Sequence, residues 1–246
     1  MKKKFLILSA LTSALSVVLG CGDGYLSNLN QKCSIASNQT GSLMPPIGNG
    51  AVQVFGDSNF TDDERAKLQS AVDQWNQTGM FLRGDAFFSL SFADVPSSVQ
   101  TADPRNCNTT FGSPNSFYVV RETDNVRWSS LGFNANIPGV TLRCQGGNNV
   151  SQQVVLFNAS IIDPDQFKSI ALHELGHSLG LDHSCSSTAD SSSFVGCTHI
   201  LDDNPYHQAV MYPSLRARLS PNDAPEIKEI LRDNDTERAK CLYNPQ

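Results

Sequence analysis

Residues 173–183 read HELGHSLGLDH, and this stretch decides which class of fold the chain can adopt. If the stretch begins on a helix, His173 and His177 project from one face, because positions four apart lie one above the other. Gly180 suits the left-handed conformation that ends a helix and lets the chain bend back. His183 can then join the two helical imidazoles around one metal ion. Three protein ligands leave a fourth position open, which is the arrangement of a catalytic rather than a structural zinc.

Glu174 follows the first of these histidines and is the candidate catalytic residue. A carboxylate in this place can act as general base toward water at the metal. The alternative is a core helix that carries ordinary buried histidines. That alternative leaves unexplained why three of the five histidines in the chain fall within these eleven positions.

A second signal lies downstream, where Ala209–Pro213 reads AVMYP. Taken alone, Met211 would be an ordinary core methionine. Placed after the extended zinc motif, it makes the chain resemble the metzincin metallopeptidases, which carry a methionine turn beneath the metal. Ser184, directly after the third histidine, and the Met-Tyr-Pro order are most similar to the matrixin branch. The resemblance implies that His173, His177 and His183 are zinc ligands, Glu174 the general base and Met211 the hydrophobic floor.

The chain departs from the matrixin pattern in ways that limit its metals. Matrixins commonly bind a second, structural zinc through histidines upstream of the catalytic helix, and no histidine precedes His173 here. We expect the sheet edge that pairs with a substrate backbone at Leu131–Asn136, which offers Asn134 in place of such a histidine. We therefore predict one catalytic zinc per chain and leave structural calcium open.

The histidines after the motif, His199 and His207, fall in a polar stretch before the methionine turn. A surface position is the ordinary outcome for them, with substrate contact as the alternative, because this stretch flanks the expected cleft. Some metzincins place a tyrosine near the zinc, two residues after the methionine, where this chain has Pro213. Tyr212 is therefore expected to be a packing residue.

The first twenty residues have the form of an export signal. Lysines follow Met1, and Phe5–Leu19 is an apolar run too short to span a bilayer comfortably. The run ends in Gly20-Cys21, which resembles the lipobox of bacterial lipoproteins and implies a lipidated Cys21. An ordinary secretory signal cut nearby is the alternative. We predict a lipoprotein signal peptide at 1–20, a lipidated cysteine with a flexible tether at 21–47, and a catalytic domain at 48–246, located on a bacterial cell envelope or otherwise secreted.

Seven cysteines minus the lipidated one leave an even set, which suggests three disulfides in an exported chain. Cys185 with Cys197 is the predicted pair that closes the loop between the third histidine and the methionine turn. Two further pairs are weaker predictions: Cys107 with Cys144, and Cys33 with Cys241. A zinc-cysteine cluster is not expected, because no CxxC spacing occurs.

The composition is acidic, with a net charge of −6. Removing the leader takes away lysines and no acidic residue, so the mature chain is more acidic still. No excess of basic residues remains to hold nucleic acid or an anionic membrane surface. The expected partners are a protein or peptide substrate and, through lipid on Cys21, a membrane; a monomer is expected.

Hydrophobic periodicity and turn residues predict an α+β fold. Strands are predicted at 51–55, 87–92, 117–121 and 154–157. A capping box at Thr61 predicts a helix that ends at Gly79. A second helix is predicted to carry the zinc motif, with Asp163 as its N-cap and Gln166 completing the capping box. Its buried face would consist of Phe167, Ile170, Ala171, Leu175 and Leu179. A last helix is predicted to begin near Asp223, with Ile227, Ile230 and Leu231 facing the core. Together these form a metzincin-like twisted mixed sheet with an active-site helix, a methionine turn and a C-terminal helix.

The predicted function is that of a zinc metalloendopeptidase, which hydrolyses peptide bonds by Glu174-assisted attack of zinc-bound water. Two alternatives remain open. One is zinc hydrolysis of a non-peptide amide bond in envelope material, and the methionine turn favours peptides instead. The other is an inactive lipid-anchored binding protein, against which the intact Glu174 and the complete ligand set argue.

Overall fold

The computed structural model describes residues 47–48, 50–101, 103, 105–106, 117–146, 149–185, 197, 201, 203–216 and 223–243, without the side chains of 145–146, 149 and 151. The predicted signal peptide, Cys21 and nearly all of the predicted tether lie outside these residues, as do Cys33, Cys107 and His199. No helix within the described ranges is long and apolar enough to cross a membrane.

A mixed sheet of five strands organises the described part of the chain. The strands are β1 (Val52–Asp57), β2 (Phe88–Ala93), β3 (Phe117–Glu122), β4 (Gly139–Gly146) and β5 (Asn149–Asn158). Their spatial order is β2-β1-β3-β5-β4, which puts β4 at one edge. All neighbours run parallel except β4, which is antiparallel to β5. The α+β prediction and four of its strands are confirmed, whereas β4 was not predicted.

Helices cover both faces of the sheet. They are α1 (Asp62–Arg83), α2 (Ser97–Thr101), α3 (Asn125–Ser130), α4 (Phe167–Leu179), α5 (Pro205–Gln208) and α6 (Asp233–Tyr243). Alternation along β3 sends Phe117 and Val119 into the core under α1 and α4, and Tyr118 and Val120 into the core under α2 and α3. The first part of the zinc motif, His173–Leu179, lies on α4, which packs against α1 and against one face of the sheet at β4 and β5.

Helix α1 begins as predicted but extends further. Thr61 is its N-cap, and both hydrogen bonds of the capping box with Glu64 are present. The predicted end at Gly79 is wrong: the helix continues to Arg83 and ends at Gly84, with φ +78°. Gly79 serves packing instead, because a Cβ there would lie 2.9 Å from a ring carbon of Phe87.

Helix α4 is buried on nearly every side, which fits its apolar sequence. All but two of its thirteen residues are buried, including the five predicted ones. Its start differs from the prediction: Asp163 caps a 3₁₀ turn, Pro164–Gln166, that leads into the helix. Gln166 closes no capping box, because its amide donates to the carbonyls of Arg216 and Glu226 at 3.0 and 2.9 Å.

The predicted sheet edge at Leu131–Asn136 is wrong. This segment is a turn after α3, with Gly132 at φ +76°, and the Asn134 carbonyl accepts a hydrogen bond from the Trp128 indole at 3.0 Å. The edge strand is β4, which follows this turn.

The last helix begins at Asp233 rather than near Asp223, and Ile227 and Ile230 are 50% and 62% exposed rather than in the core. The reason is tertiary. Backbone N–H groups of the preceding segment donate to distant partners, for example Lys228 to the Ser169 hydroxyl at 2.8 Å. Those donors are then not available for the i to i−4 bonds of a helix.

Candidate metal centre

Helix α4 presents His173 and His177 side by side, with their Nε2 atoms 3.0 Å apart. Gly180 ends the helix in the left-handed region at φ +102°, and its N–H donates to the His177 carbonyl at 3.0 Å. The chain then reverses and brings His183 to the pair. One ligand atom from each of the three imidazoles lies within 4.8 Å of the others.

Hydrogen bonds at the far ring nitrogens fix how these histidines face one another. Nδ1 of His173 is 2.8 Å from the Val210 carbonyl, and Nδ1 of His177 is 2.8 Å from the Leu181 carbonyl. A carbonyl oxygen can only accept, so each Nδ1 carries the proton and each Nε2 presents a lone pair. Nε2 of His183 is buried without a hydrogen-bond partner in the described residues.

This donor set fits a metal cation. Burial, and then the neighbouring imidazoles, lower the pKa of each of the three histidines to about 3, so the rings are neutral near pH 7. Two neutral nitrogens that face each other with lone pairs need a positive centre between them. Zinc binds imidazole nitrogens readily, and so do copper, iron and nickel.

Glu174 follows His173 on α4 and is buried, with 4% of its surface exposed. Its Oε2 accepts a hydrogen bond from the Thr141 hydroxyl of β4 at 2.7 Å. Burial raises the pKa of Glu174 to about 7, against the opposing effect of that hydrogen bond. A carboxyl group with this pKa can both take up and release a proton near neutral pH.

Met211 lies directly under α4 and is fully buried. A Cβ built at Gly176 would collide with its sulfur, so the glycine allows the methionine turn to approach the helix. The Met211 carbonyl accepts the N–H of Ser184 at 2.7 Å, which ties the turn to the residue after the third histidine.

Two charged residues of α6 support the site and were not predicted. The Asp235 carboxylate accepts the backbone N–H groups of Val210 and Met211, and the Arg238 guanidinium donates to the carbonyls of Asp182 and His183 at 2.9 and 3.0 Å. Both side chains are fully buried. The available signal was an acid and a base three positions apart on one helix, which is common on surface helices and did not distinguish them.

The predicted bond between Cys185 and Cys197 is present and joins residues 12 positions apart. Cys144 and Cys241 are also disulfide-bonded. Their suggested partners, Cys107 and Cys33, lie outside the described residues, so those two pairings stay predictions.

The polar stretch before the methionine turn forms α5, which carries His207. The His207 ring lies 4.4 Å from the Tyr212 ring, and the Lys228 ammonium lies 4.4 Å from that same ring. Tyr212 is thus a packing residue, as expected.

The fold and this site define a metzincin-type zinc peptidase. Residues 87–228, more than half of the chain, match the family model of the reprolysin-like metallopeptidases of family M12B. The chain belongs to this family. The match includes the whole HELGHSLGLDH stretch and the methionine turn.

One solved structure that resembles this chain is that of myroilysin. It shares 13% sequence identity over 82% of this chain and 83% of the myroilysin chain, with a TM-score of 0.41. No curated protein sequence matches.

Proposed function

We propose that this chain is a zinc-dependent endopeptidase in which Glu174 transfers a proton from the attacking water to the leaving amine. The observation that carries the proposal is the convergence of three neutral imidazoles beside a buried carboxyl whose pKa lies near 7. Family membership supports zinc as the metal and a protein or peptide as the substrate.

Zinc held by His173, His177 and His183 would lower the pKa of a water molecule and polarise a peptide carbonyl. The histidines stay neutral because burial lowers their pKa, so they leave the charge of the ion uncompensated. Glu174 accepts the proton that the attacking water releases and returns it to the leaving amine. Burial raises the pKa of Glu174, which favours its uptake of the proton.

Strand β4 is the best-placed element to bind the substrate backbone. It is one of the two edge strands of the described sheet, and unlike β2 it contacts Glu174, through the Thr141 hydroxyl. The Asn158 N–H donates to the Pro138 carbonyl at 2.9 Å, and the register pairs Gly139 with Phe157. Because bonding alternates along an antiparallel pair, the backbone groups of Gly139 and Thr141 point to the outer side. An extended peptide can add there as a further strand.

The test is cleavage of casein by the purified protein, with and without a chelator, followed by return of zinc. We expect hydrolysis that the chelator abolishes and zinc restores. Hydrolysis that survives the chelator would contradict the proposal. A protein that binds zinc and leaves casein intact but releases amines from envelope material would instead be the non-peptide amide hydrolase. One that does neither would be the binding protein.

We further propose that lipid on Cys21 anchors the enzyme to a bacterial cell envelope. The support is the sequence alone: an apolar run that stops at the Gly20-Cys21 pair. The proposal is tested by expressing the full chain in bacteria that are fed labelled fatty acid, and then separating membranes from soluble protein. Wild type should carry label and sediment with membranes, whereas Cys21→Ser should do neither. Label on the Cys21→Ser variant would contradict it.

Within the metzincins, we retain the matrixin resemblance as a proposal about one segment. Ser184 donates its N–H to Met211 and its hydroxyl to the Tyr206 carbonyl, the latter at 2.7 Å. The proposal is that the Ser184 hydroxyl, by holding the Tyr206 carbonyl on α5, helps to fix the methionine turn that follows this helix. Ser184→Ala removes this bond and keeps the backbone bond to Met211. Ser184→Ala should then weaken zinc retention, and unchanged retention would count against it.

A further inference from the structure

The general base is held from β4 by one side chain. The Thr141 hydroxyl lies 2.7 Å from Oε2 of Glu174 and 2.9 Å from the Glu174 backbone carbonyl. The two residues are 33 positions apart, so this contact comes from tertiary structure and not from the zinc motif. Among the described residues, no side chain donates to Oε1, the other carboxylate oxygen.

A second residue of β4, Gly139, lies close to the same carboxylate, and it can do so because it has no side chain. A Cβ built at Gly139 would lie 3.0 Å from both Cγ and Oε1 of Glu174, and 3.1 Å from a methyl carbon of Ile170. Gly139 and Thr141 are two positions apart on a strand and face the same side of the sheet. The strand therefore lies against both carboxylate oxygens of Glu174: Thr141 bonds to Oε2, and Gly139 lies close to Oε1.

We propose that Thr141 is a positioning residue for Glu174, which holds Oε2 by a hydrogen bond and leaves Oε1 to exchange the proton. This inference rests on the proposed endopeptidase function and adds a residue outside the zinc motif. A glutamate side chain has three rotatable bonds and loses appreciable entropy when it is fixed. The hydrogen bond to Thr141 and the close wall at Gly139 fix it before substrate arrives, which is the condition for efficient proton transfer.

The position of Thr141 on the strand gives this contact a second consequence. Its backbone groups point to the outer side of β4, where the substrate strand is proposed to add, while its side chain holds Glu174. A peptide that pairs with β4 therefore bonds to the same residue that orients the base.

If Thr141 were only structural, its important contact would be the other one, the hydrogen bond from its hydroxyl to the backbone carbonyl of Glu174 in α4. The two roles predict different effects. Loss of a helix-carbonyl bond would lower stability and leave the carboxylate where it is. Loss of the carboxylate bond would in addition lower kcat and free the Glu174 side chain, with substrate binding nearly unchanged.

The experiment compares Thr141→Val, which keeps the shape and removes the hydroxyl, with Thr141→Ser, which keeps the hydroxyl. For Thr141→Val we expect kcat on a peptide substrate to fall by about tenfold or more, because the lost bond is to a charged group. The KM and zinc content should stay close to wild type, whereas the unfolding temperature should fall modestly, because the substitution also removes the bond to the Glu174 carbonyl. Thr141→Ser should recover most of kcat.

A second readout does not depend on activity. Crystal structures of the metal-free proteins should show one Glu174 side-chain conformation in wild type and in Thr141→Ser, and more than one in Thr141→Val. A Thr141→Val variant that keeps kcat within twofold, or a Thr141→Ser variant as impaired as Thr141→Val, would overturn the inference. So would a single, unmoved Glu174 conformation in Thr141→Val. If wild type itself cleaves no peptide, the proposed function fails, and the metal-free structures alone decide whether Thr141 holds the carboxylate.

Discussion

Asp235, on the C-terminal helix, accepts a hydrogen bond from the backbone N–H of Met211 at 3.1 Å. The same carboxylate accepts the N–H of Val210 at 3.0 Å, and the Val210 carbonyl bonds to Nδ1 of His173. Two hydrogen bonds through Val210 thus connect α6 to His173, and a third holds the methionine turn. The helix fixes both the floor of the site and the orientation of one imidazole.

We predict that Asp235→Asn weakens zinc binding as well as stability. The amide weakens the charge-assisted bonds that the carboxylate accepts from three backbone N–H groups, those of Val210, Met211 and Arg232, which should lower the free energy of unfolding by about 2–4 kcal/mol. Zinc affinity should fall by about tenfold or more, as is common when a partner that orients a ligand is lost. Competition with a zinc-binding dye measures the affinity, and denaturant unfolding measures the stability.

Asp233→Asn is the matched control, because Asp233 is exposed on the first turn of the same helix. It should leave zinc affinity unchanged. Equal losses of zinc affinity in the two variants would show that Asp235 has no particular connection to the site.

The packing of Met211 against Gly176 predicts a compensating pair of substitutions. Gly176→Ala places a methyl group against the Met211 sulfur and should lower the free energy of unfolding by about 1–3 kcal/mol through overpacking. In a Met211→Ala background the same substitution should cost much less, because the colliding atoms are gone. Unfolding of the four proteins of this cycle measures the coupling, and additive effects would contradict the contact.

The zinc-binding stretch could be predicted because its geometry is local. His173, His177 and Gly180 follow from the spacing of a helix and from the conformation that ends it. The capping box at Thr61 was likewise readable from four consecutive positions.

The errors arose where distant contacts override local patterns. Gly79 continues a helix because Phe87 packs against it, although glycine disfavours helices. The segment before α6 contains apolar residues at helical spacing, yet its N–H groups donate to α1 and α4. Thr141 was invisible for the same reason: nothing near it in sequence indicates that it contacts Glu174.

The Cys185–Cys197 bond should protect the metal site rather than the whole fold. It restrains the segment that leads from His183 to Met211, so its loss frees both the third ligand and the floor. We expect Cys185→Ser with Cys197→Ser to release zinc faster at raised temperature, with a stability loss of about 2–3 kcal/mol at most. A chelating dye follows the release. Cys144→Ser, which breaks a different disulfide, should not accelerate zinc release, and acceleration as large as in the double variant would refute the local role.

Replacing the general base should separate chemistry from metal binding. Glu174→Gln keeps the size of the side chain and cannot accept the proton, so kcat should fall by about 10²–10⁴-fold. Zinc content, measured by metal analysis, should match wild type. Glu237→Gln, at an exposed position of α6, controls for the loss of one charge and should remain fully active. A tenth of wild-type kcat in Glu174→Gln would mean that another residue is the base.

The most direct test of a single catalytic zinc is a titration of the metal-free protein with zinc while peptide cleavage is followed. His173, His177 and His183 form the one triad of possible ligands in the described residues. Activity should therefore rise in proportion to added zinc and stop rising at one ion per chain. A break at two ions per chain, or cleavage at full rate before any zinc is added, would contradict the account.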